Sequence, residues 1–126
     1  MKEYSFEKLD VWKMANMFVD KIYDLCVNFP KDEKFGLTSQ LKRAALSISN
    51  NIAEGSGRIT GRDKANFTQI SFGSLMECLN ILIVANKRRF ITKEQLNDLR
   101  EDINKIAQLL SKLRRAQLLN PQTIKY

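Results

Sequence analysis

The sequence predicts an all-α fold, a single domain over residues 1–126 that forms an antiparallel up-down-up-down bundle of four helices. In four successive segments the apolar residues recur at spacings of three and four, which places them on one face of a helix. The chain has five glycines and two prolines, too few turn residues for a fold of many strands. Its 44% hydrophobic and 28% charged residues are typical of a folded protein rather than a disordered one.

The first predicted helix covers residues 8–29 and has an unusually broad apolar sector. The side chains on its expected inward face are Trp12, Ala15, Val19, Ile22, Cys26 and Phe29. Further apolar side chains flank that face, namely Val11, Met14, Met17, Phe18, Tyr23 and Leu25. A core-facing stripe alone does not need this width. Either the helix is central, or part of its apolar sector meets another subunit.

The second predicted helix covers residues 36–54 and ends at a glycine-rich turn. Its expected inward residues are Leu37, Leu41, Ala44, Ile48 and Ile52. We expect Gly55 and Gly57 to stop it, because glycine readily adopts the left-handed conformation that favours a helix C-terminus.

The third and fourth predicted helices cover residues 61–89 and 93–117, and each begins at a threonine cap. Thr60 is followed three residues later by Asp63, and Thr92 by Gln95, a spacing typical of a capping box. The expected inward residues of the third helix are Phe67, Ile70, Ser74, Cys78, Ile81 and Ala85, and those of the fourth are Leu96, Leu99, Ile103, Ile106, Leu110 and Leu113. Gly73 and Ser74 are expected to let another helix approach closely. Residues 119–126 are expected to form a flexible tail.

Composition argues against catalysis, metal binding and cofactors. Histidine is absent from the chain, so the commonest general base and the usual zinc and haem ligand sets are missing. Neither a P-loop nor another cofactor-binding motif occurs. Cys26 and Cys78 lie on apolar stretches, and we expect two buried, reduced thiols. With no secretory signal evident and no apolar run longer than residues 81–85, we expect a cytoplasmic protein without a membrane span.

A polar stripe on the second helix is the least ordinary pattern in the chain. It consists of Gln40, Arg43, Ser47, Asn50 and Glu54. Short hydrogen-bonding side chains dominate it, so we infer a half-buried polar seam that faces a neighbouring helix, a subunit or a wet channel. Glu54 lies where the helix dipole disfavours an anion and should therefore find a cation, supplied by Arg43, Arg58 or Arg62. A structural ion pair and a ligand-facing carboxylate both remain open.

Clustered cations are the main functional signal. The net charge is +7, and such a balance favours polyanionic partners. In an up-down bundle one end would gather Arg58, Arg62, Lys64, Lys112, Arg114 and Arg115. The other end would gather Lys87, Arg88 and Arg89, with Lys31, Lys34 and Lys93. Such clusters suit phosphate backbones, although cations near helix C-termini also simply offset the helix dipole.

One long run resembles a known family. Residues 35–48 (FGLTSQLKRAALSI) continue into residues 51–55 (NIAEG), Gly57 and Arg58. Shorter matching pieces are Phe6 with Leu9, Val11 and Trp12, then Phe29-Pro30 with Glu33, and Gly73-Ser74-Leu75 with Glu77. Over about residues 6–115 the chain resembles the bacterial 23S rRNA intervening-sequence proteins, a four-helix bundle family. Three positions depart from the family's usual residues: Ser49, Ser56 and Phe72 stand where proline, an aromatic residue and a cation are common.

That family is similar to the accessory variability determinant of diversity-generating retroelements, a basic homopentamer that associates with reverse transcriptase and nucleic acid. The resemblance implies a homo-oligomer here, with a pentamer expected. It makes RNA or DNA, and a reverse transcriptase or other protein, candidate partners, but it does not imply a retroelement function. The leading hypothesis is thus a non-catalytic oligomer that binds RNA or DNA mainly through phosphates. The alternative is a protein-interaction scaffold or adaptor. A third option, a bundle that binds a small molecule or metal, requires a closed polar pocket around Glu54 and Glu77.

Overall fold

The computed structural model describes residues 1–119, and within them the protein is all-α with four helices and no strand. The helices are α1 (Asp10–Cys26), α2 (Leu37–Ser56), α3 (Gly61–Lys87) and α4 (Lys93–Leu119). Two short 3₁₀ turns, Ser5–Lys8 and Lys31–Glu33, precede α1 and α2. The all-α prediction is confirmed. Of the expected flexible tail, Leu119 belongs to α4 and the remaining residues lie outside the described part of the chain.

Helix α1 is shorter at both ends than the prediction for residues 8–29. Leu9 is extended (φ −74°, ψ 127°) and separates the first 3₁₀ turn from α1. At the other end Phe29 precedes Pro30, and a residue before proline is disfavoured in helical conformation. Phe29 is nevertheless buried, because the turn that follows α1 folds its ring onto the ring of Phe90, with 5.8 Å between centroids.

The predicted helix starts have the expected caps. The Thr60 hydroxyl accepts a hydrogen bond of 3.1 Å from the Asp63 N–H at the start of α3. At α4 the box is reciprocal, since Thr92 accepts from the Gln95 N–H at 3.1 Å and donates its own N–H to the Gln95 side chain at 2.8 Å. Glu33 caps α2, where its carboxylate accepts from the Leu37 N–H at 3.0 Å. Each bond satisfies a backbone donor that has no partner within the helix.

The four helices share one apolar core. Helix α1 packs against α2 and α4, and α3 packs against the same two helices. Every predicted inward residue of α2 and α4 is buried except Leu37 and Leu113, which are half-buried. The face of α1 is rotated from the prediction, because Val11 and Phe18 are buried whereas Trp12 and Val19 are half-buried. The neighbours on both sides of α1 decide which part of its broad apolar sector is covered.

Two predictions for α3 fail, each at one residue, and both concern its contact with α2. Ile70 is 50% exposed, and the buried neighbour is Ser71, whose hydroxyl donates to the Ile48 carbonyl at 2.9 Å. Of the pair Gly73 and Ser74, Ser74 is buried with its hydroxyl 2.8 Å from that of Ser47 of α2. A Cβ at Gly73, however, would have no atom within 4 Å, so the glycine that another helix approaches closely is a different one. That glycine is Gly55 of α2, where a Cβ would be 2.9 Å from the Cβ of Phe67.

The helix ends also differ from expectation at their glycines. Gly57 closes α2 in a right-handed conformation (φ −84°), and no glycine in residues 1–119 has positive φ. The left-handed residue is Arg89 (φ 64°), which follows Arg88, the C-cap of α3. There the Phe90 N–H reaches back to the Ala85 carbonyl at 2.8 Å, a bond of the kind that ends many helices.

Helix α3 is the one described helix that is long and apolar enough to cross a membrane by length and composition. A third of its most apolar window (33%) is buried inside the protein. Two of its flanks are occupied by α2 and α4, so its apolar residues serve at least in part as core. Core helices pass the same length and composition test, so this finding is weak support for a membrane span.

Candidate nucleic-acid interface

Arg114 and Arg115 line a groove of about 320 Å³ between the last turns of α4 and the early turns of α3. The α3 wall of the groove contributes Thr68, Gln69 and Phe72. A groove with two guanidinium groups, hydrogen-bonding side chains and an aromatic ring has the chemistry to bind phosphate. The α3 wall has no charged side chain, so the positive charge of this groove comes from Arg114 and Arg115 of α4.

Packing of α3 on α4 creates this groove. The Thr68 hydroxyl donates to the Gln117 side-chain oxygen at 2.7 Å, which joins the second turn of α3 to the end of α4. Leu110, one helical turn before Arg114, is buried in the core. Sequence reasoning identified the two arginines but missed Thr68, Gln69 and Ser111. Polar residues beside core positions give no local signal that they face a second helix.

Arg58 is held by two neighbours. Its guanidinium lies 3.0 Å from the Glu54 carboxylate and stacks 4.4 Å from the centre of the Phe67 ring. Arg58 is therefore the cation that Glu54 finds at the end of α2. Both side chains of the pair are about half exposed, at 44% and 56%, so solvent screens the pair and it contributes little to stability. The ring contact orients the guanidinium and leaves it at the surface.

Lys64 and Arg62 lie on the first turns of α3, near the end of α2. The Lys64 ammonium donates to the Ser56 carbonyl at 3.0 Å, one of the last carbonyls of α2. A cation in this position offsets the negative end of the helix dipole, which is the structural role that the sequence left open. Arg62 is exposed on the surface of the same turn.

Lys112 does not join the groove of Arg114 and Arg115. It lines a different groove of about 220 Å³ with Met14 and Lys105, between α4 and α1. Residues two apart on an α-helix point about 200° apart around its axis, so Lys112 and Arg114 face different neighbours. The expectation that all six cations of this end share one surface is too simple, because they divide between two grooves and a turn.

Lys87, Arg88 and Arg89 are exposed at the far end of α3. At 1.5 Å per residue, the length of helix between Lys64 and Lys87 is about 35 Å. The ring contact of Phe29 and Phe90 joins the two loops at this end. Beside them Phe35 is 89% exposed, with the Lys34 ammonium 5.4 Å from its ring centre.

The polar stripe of α2 is half-buried only at Ser47. Its hydroxyl lies 2.8 Å from the Ser74 hydroxyl of α3, and the Asn51 amide donates to it at 2.9 Å. The other members, which are exposed in the single chain, are Gln40, Arg43, Asn50 and Glu54. Of the surroundings expected for this stripe, a neighbouring helix is present at Ser47 alone. Asn51, four residues after Ser47, could have been included from its spacing.

The remaining candidate groups are two carboxylates and two thiols. Glu54 and Glu77 are both exposed, so neither lies in the closed polar pocket that a small-molecule or metal site requires. Residues 1–119 contain no group of three or more acidic and cysteine side chains placed to hold a metal ion. Cys26 and Cys78 are free and buried, as predicted. Burial raises the pKa of both thiols, that of Cys78 to about 12, with a smaller contribution from the nearby Glu77 charge.

The fold and the groove define a small, basic, all-α protein with exposed cations at both ends of α3. Residues 7–112 match the family described as 23S rRNA-intervening sequence protein, and the chain belongs to that family. The protein is also similar to a solved structure, that of a protein with unknown function from the S23 ribosomal protein family of Bacteroides thetaiotaomicron VPI-5482. The two chains are 24% identical, with a TM-score of 0.76 over 83% of this chain and 98% of the other, a likeness that establishes the fold alone. No curated protein matches the sequence.

Proposed function

We propose that this protein is a non-catalytic homo-oligomer that binds RNA or DNA mainly through backbone phosphates. The observation that carries the proposal is the groove in which Arg114 and Arg115 lie beside the exposed side-chain amide of Gln69. Guanidinium groups bind phosphate through two parallel hydrogen bonds, and neutral donors add further contacts to the same oxygens. The net charge of +7 adds long-range attraction to any polyanion.

The proposal includes the antiparallel, up-down-up-down order of the four helices. Contacts between α2 and α3 support it, because they run in reversed order: Ser47 meets Ser74, whereas Ser56 meets Lys64. The pairs between α1 and α4 also follow a reversed order: Lys21 pairs with Asp102, and Met14 lies beside Leu109 in the groove of Lys112. Between α3 and α4, Thr68 near the start of α3 pairs with Gln117 near the end of α4. In this arrangement the α2–α3 turn and the end of α4 form one end of the bundle.

A homo-oligomer, with a pentamer as the expected form, is the second part of the proposal. Its support is the number of large apolar side chains that a single chain leaves exposed on α1, α2 and α3. They are Met17, Tyr23, Leu46, Ile70, Met76 and Val84. Large apolar side chains that are exposed in a single chain become buried where subunits meet. Light scattering that gives a particle of 14.6 kDa, the mass of one chain, contradicts this part of the proposal.

The natural setting of the proposal is the cytoplasm, where reduced thiols persist and nucleic acid is abundant. A reverse transcriptase or another polymerase remains a proposed protein partner through the family resemblance. Its support is the resemblance alone.

The test is fluorescence anisotropy with a generic RNA and a DNA duplex between about 50 and 200 mM salt. We expect binding by both with little sequence preference, and a logarithmic affinity that falls linearly with the logarithm of salt. The double variant Arg114→Glu, Arg115→Glu should bind at least tenfold more weakly. The salt slope should flatten by about 0.9 for every phosphate that the variant no longer neutralises.

The matched control is Lys13→Glu, Arg100→Glu, which makes the same charge change at exposed positions outside both grooves. If net charge alone governs binding, both double variants weaken it equally. If the groove governs binding, the control retains most of the affinity. Absence of binding by RNA and by DNA at low salt rejects the proposed function.

A protein-interaction scaffold is the second candidate, and one observation favours it. Exposed apolar side chains lie at the loops as well as on the helices, with Val27 80% and Phe35 89% exposed. A pull-down from nuclease-treated lysate discriminates the two functions. A protein that stays in complex after the nuclease, combined with no binding to purified RNA or DNA, favours the scaffold.

A further inference from the structure

The segment before α1 lies against the end of α2 and forms an open cleft of about 670 Å³ with it. One wall consists of Tyr4, Phe6 and their neighbours, and the other of the last turn of α2 at Ser56. This volume lies within the range of small-molecule sites, which is roughly 300 to 1,000 Å³. Nothing in the phosphate-binding proposal uses this cleft.

Local contacts order the segment that forms the cleft. Residues Ser5–Lys8 form a 3₁₀ turn, and the Tyr4 N–H donates to the Glu7 carboxylate at 2.7 Å. The Phe6 ring packs edge-on against Trp12 of α1, with 5.2 Å between centroids. The aromatic wall is therefore present before any ligand arrives, which reduces the entropy cost of binding.

The side chains of the cleft combine an available aromatic ring with cations. Tyr4 is 62% exposed, and the Lys2 ammonium lies 5.2 Å from its ring centre. Lys8 adds a second cation and Glu3 one anion to the lining. A ring that stacks and an ammonium that meets phosphate are the two groups that an unpaired nucleotide requires. An acidic peptide would use the lysines but leave the ring without a planar partner.

The cleft is also connected to the cationic end of the molecule. Ser56 lines the cleft, and its carbonyl accepts the hydrogen bond from Lys64 of α3. Thr68, one turn further along α3, lines the groove of Arg114 and Arg115. A strand that leaves the cleft towards α3 thus meets Lys64 and then the groove of Arg114 and Arg115.

We propose that this cleft holds an unpaired nucleotide of a single-stranded RNA or DNA, whose base stacks on Tyr4 while Lys2 and Lys8 meet its phosphates. The inference rests on the proposed function and deepens it by naming the single strand as the preferred form. Bases within a duplex are stacked on one another and present only their edges, so a duplex cannot use the Tyr4 ring.

The experiment compares a uridine decamer, an RNA duplex whose strands each have as many phosphates as the decamer, and a glutamate decamer. Affinity is measured by anisotropy, and occupancy of the cleft by the fluorescence of Trp12, which is the sole tryptophan and contacts Phe6. Tyr4→Ala should weaken decamer binding about five- to tenfold, because base stacking on an aromatic side chain contributes at least that much. Tyr4→Phe should retain affinity, and duplex binding should be unchanged in both variants.

Phe35→Ala is the matched control, because Phe35 is an exposed aromatic residue with a lysine over its ring at the other end of the molecule. It should leave decamer affinity and the Trp12 response unchanged. Equal losses of affinity in Tyr4→Ala and Phe35→Ala, or a Trp12 response to the glutamate decamer as large as that to the uridine decamer, overturn the inference. If the duplex binds and Tyr4→Ala has no effect on the decamer, the cleft is rejected while the phosphate-binding function stands. If neither nucleic acid binds, the proposed function itself fails.

Discussion

Gly55 lies where α2 and α3 approach most tightly, and Gly55→Ala tests whether that approach is required. An alanine Cβ would lie 2.9 Å from the Cβ of Phe67 and 3.3 Å from the Lys64 carbonyl oxygen. Neither atom belongs to the far end of a flexible side chain. The new methyl group can therefore be accommodated only if the two helices move apart.

Two opposing effects set the size of the change. Replacing glycine by alanine inside a helix gains at most about 1 kcal/mol from helix propensity, and less near a helix end such as this. Overpacking at a rigid contact costs about 1 to 3 kcal/mol. We expect Gly55→Ala to lower the free energy of unfolding by about 1 to 2 kcal/mol and the Tm by roughly 4 to 8 °C.

Gly73→Ala is the matched control, the same substitution in the middle of α3. No atom lies within 4 Å of the position that its Cβ would occupy. Only the propensity gain remains, so we expect about 0.5 to 1 kcal/mol of stabilisation. The two substitutions should therefore change stability in opposite directions.

Urea denaturation followed by far-ultraviolet circular dichroism measures both variants, with light scattering to verify that the assembly is unchanged. If Gly55→Ala stabilises the protein as much as Gly73→Ala does, the α2–α3 contact is not rigid and the reasoning is refuted. A decrease of stability in both variants instead indicates that another subunit covers the exposed face at Gly73, as the proposed oligomer requires.

Three further predictions concern single residues. Arg89→Gly should raise the free energy of unfolding by about 1 kcal/mol, because Arg89 has φ 64°, a conformation that costs an L-residue about 1 kcal/mol more than it costs glycine. A lower urea midpoint for the variant contradicts this prediction. Thr92→Ala should lower the free energy of unfolding by about 1 kcal/mol, because it removes the hydroxyl that accepts a hydrogen bond from the Gln95 N–H at 3.1 Å. Thr92→Ser should retain the stability of the original protein in the same urea titration. Burial raises the pKa of the Cys78 thiol from 9.0 to about 12, so the unfolded state loses this proton at a lower pH than the folded state does. The free energy of unfolding should therefore be constant below pH 9.0 as far as this group is concerned and should fall as pH rises from 9.0 towards 12. Cys78→Ala should flatten that decrease.

Local sequence was sufficient for the features that act within one helix. The alternating spacing of Leu96, Leu99, Ile103, Ile106 and Leu110 predicted the buried face of α4, and all five are buried. The threonine caps were predicted for the same reason, since cap and backbone N–H are three residues apart. A pairing between Glu54 and one of three arginines was expected, and the pair with Arg58 is a contact between residues four apart on the chain.

Features that depend on how one helix is rotated against another could not be predicted in this way. Spacing placed Ile70 inward, but the chain buries Ser71, because its hydroxyl satisfies the Ile48 carbonyl across the α2–α3 contact. The presence of a glycine does not by itself indicate that the close approach of two helices lies at Gly55 rather than at Gly73. The grouping of cations likewise required the positions of α1 and α3 on either side of α4, which separate Lys112 from Arg114.

The sequence by itself determined that this protein is helical, where each helix approximately begins and ends, and that its surface is basic, because propensity, capping and charge are properties of neighbouring residues. Tertiary structure decided which cations share a groove, which glycine admits another helix, and that the segment before α1 forms a cleft with the end of α2. Those outcomes depend on side chains from distant parts of the chain that pack against one another in one register. The packing energy of that arrangement belongs to all four helices together, so it cannot be derived from the sequence of a single helix.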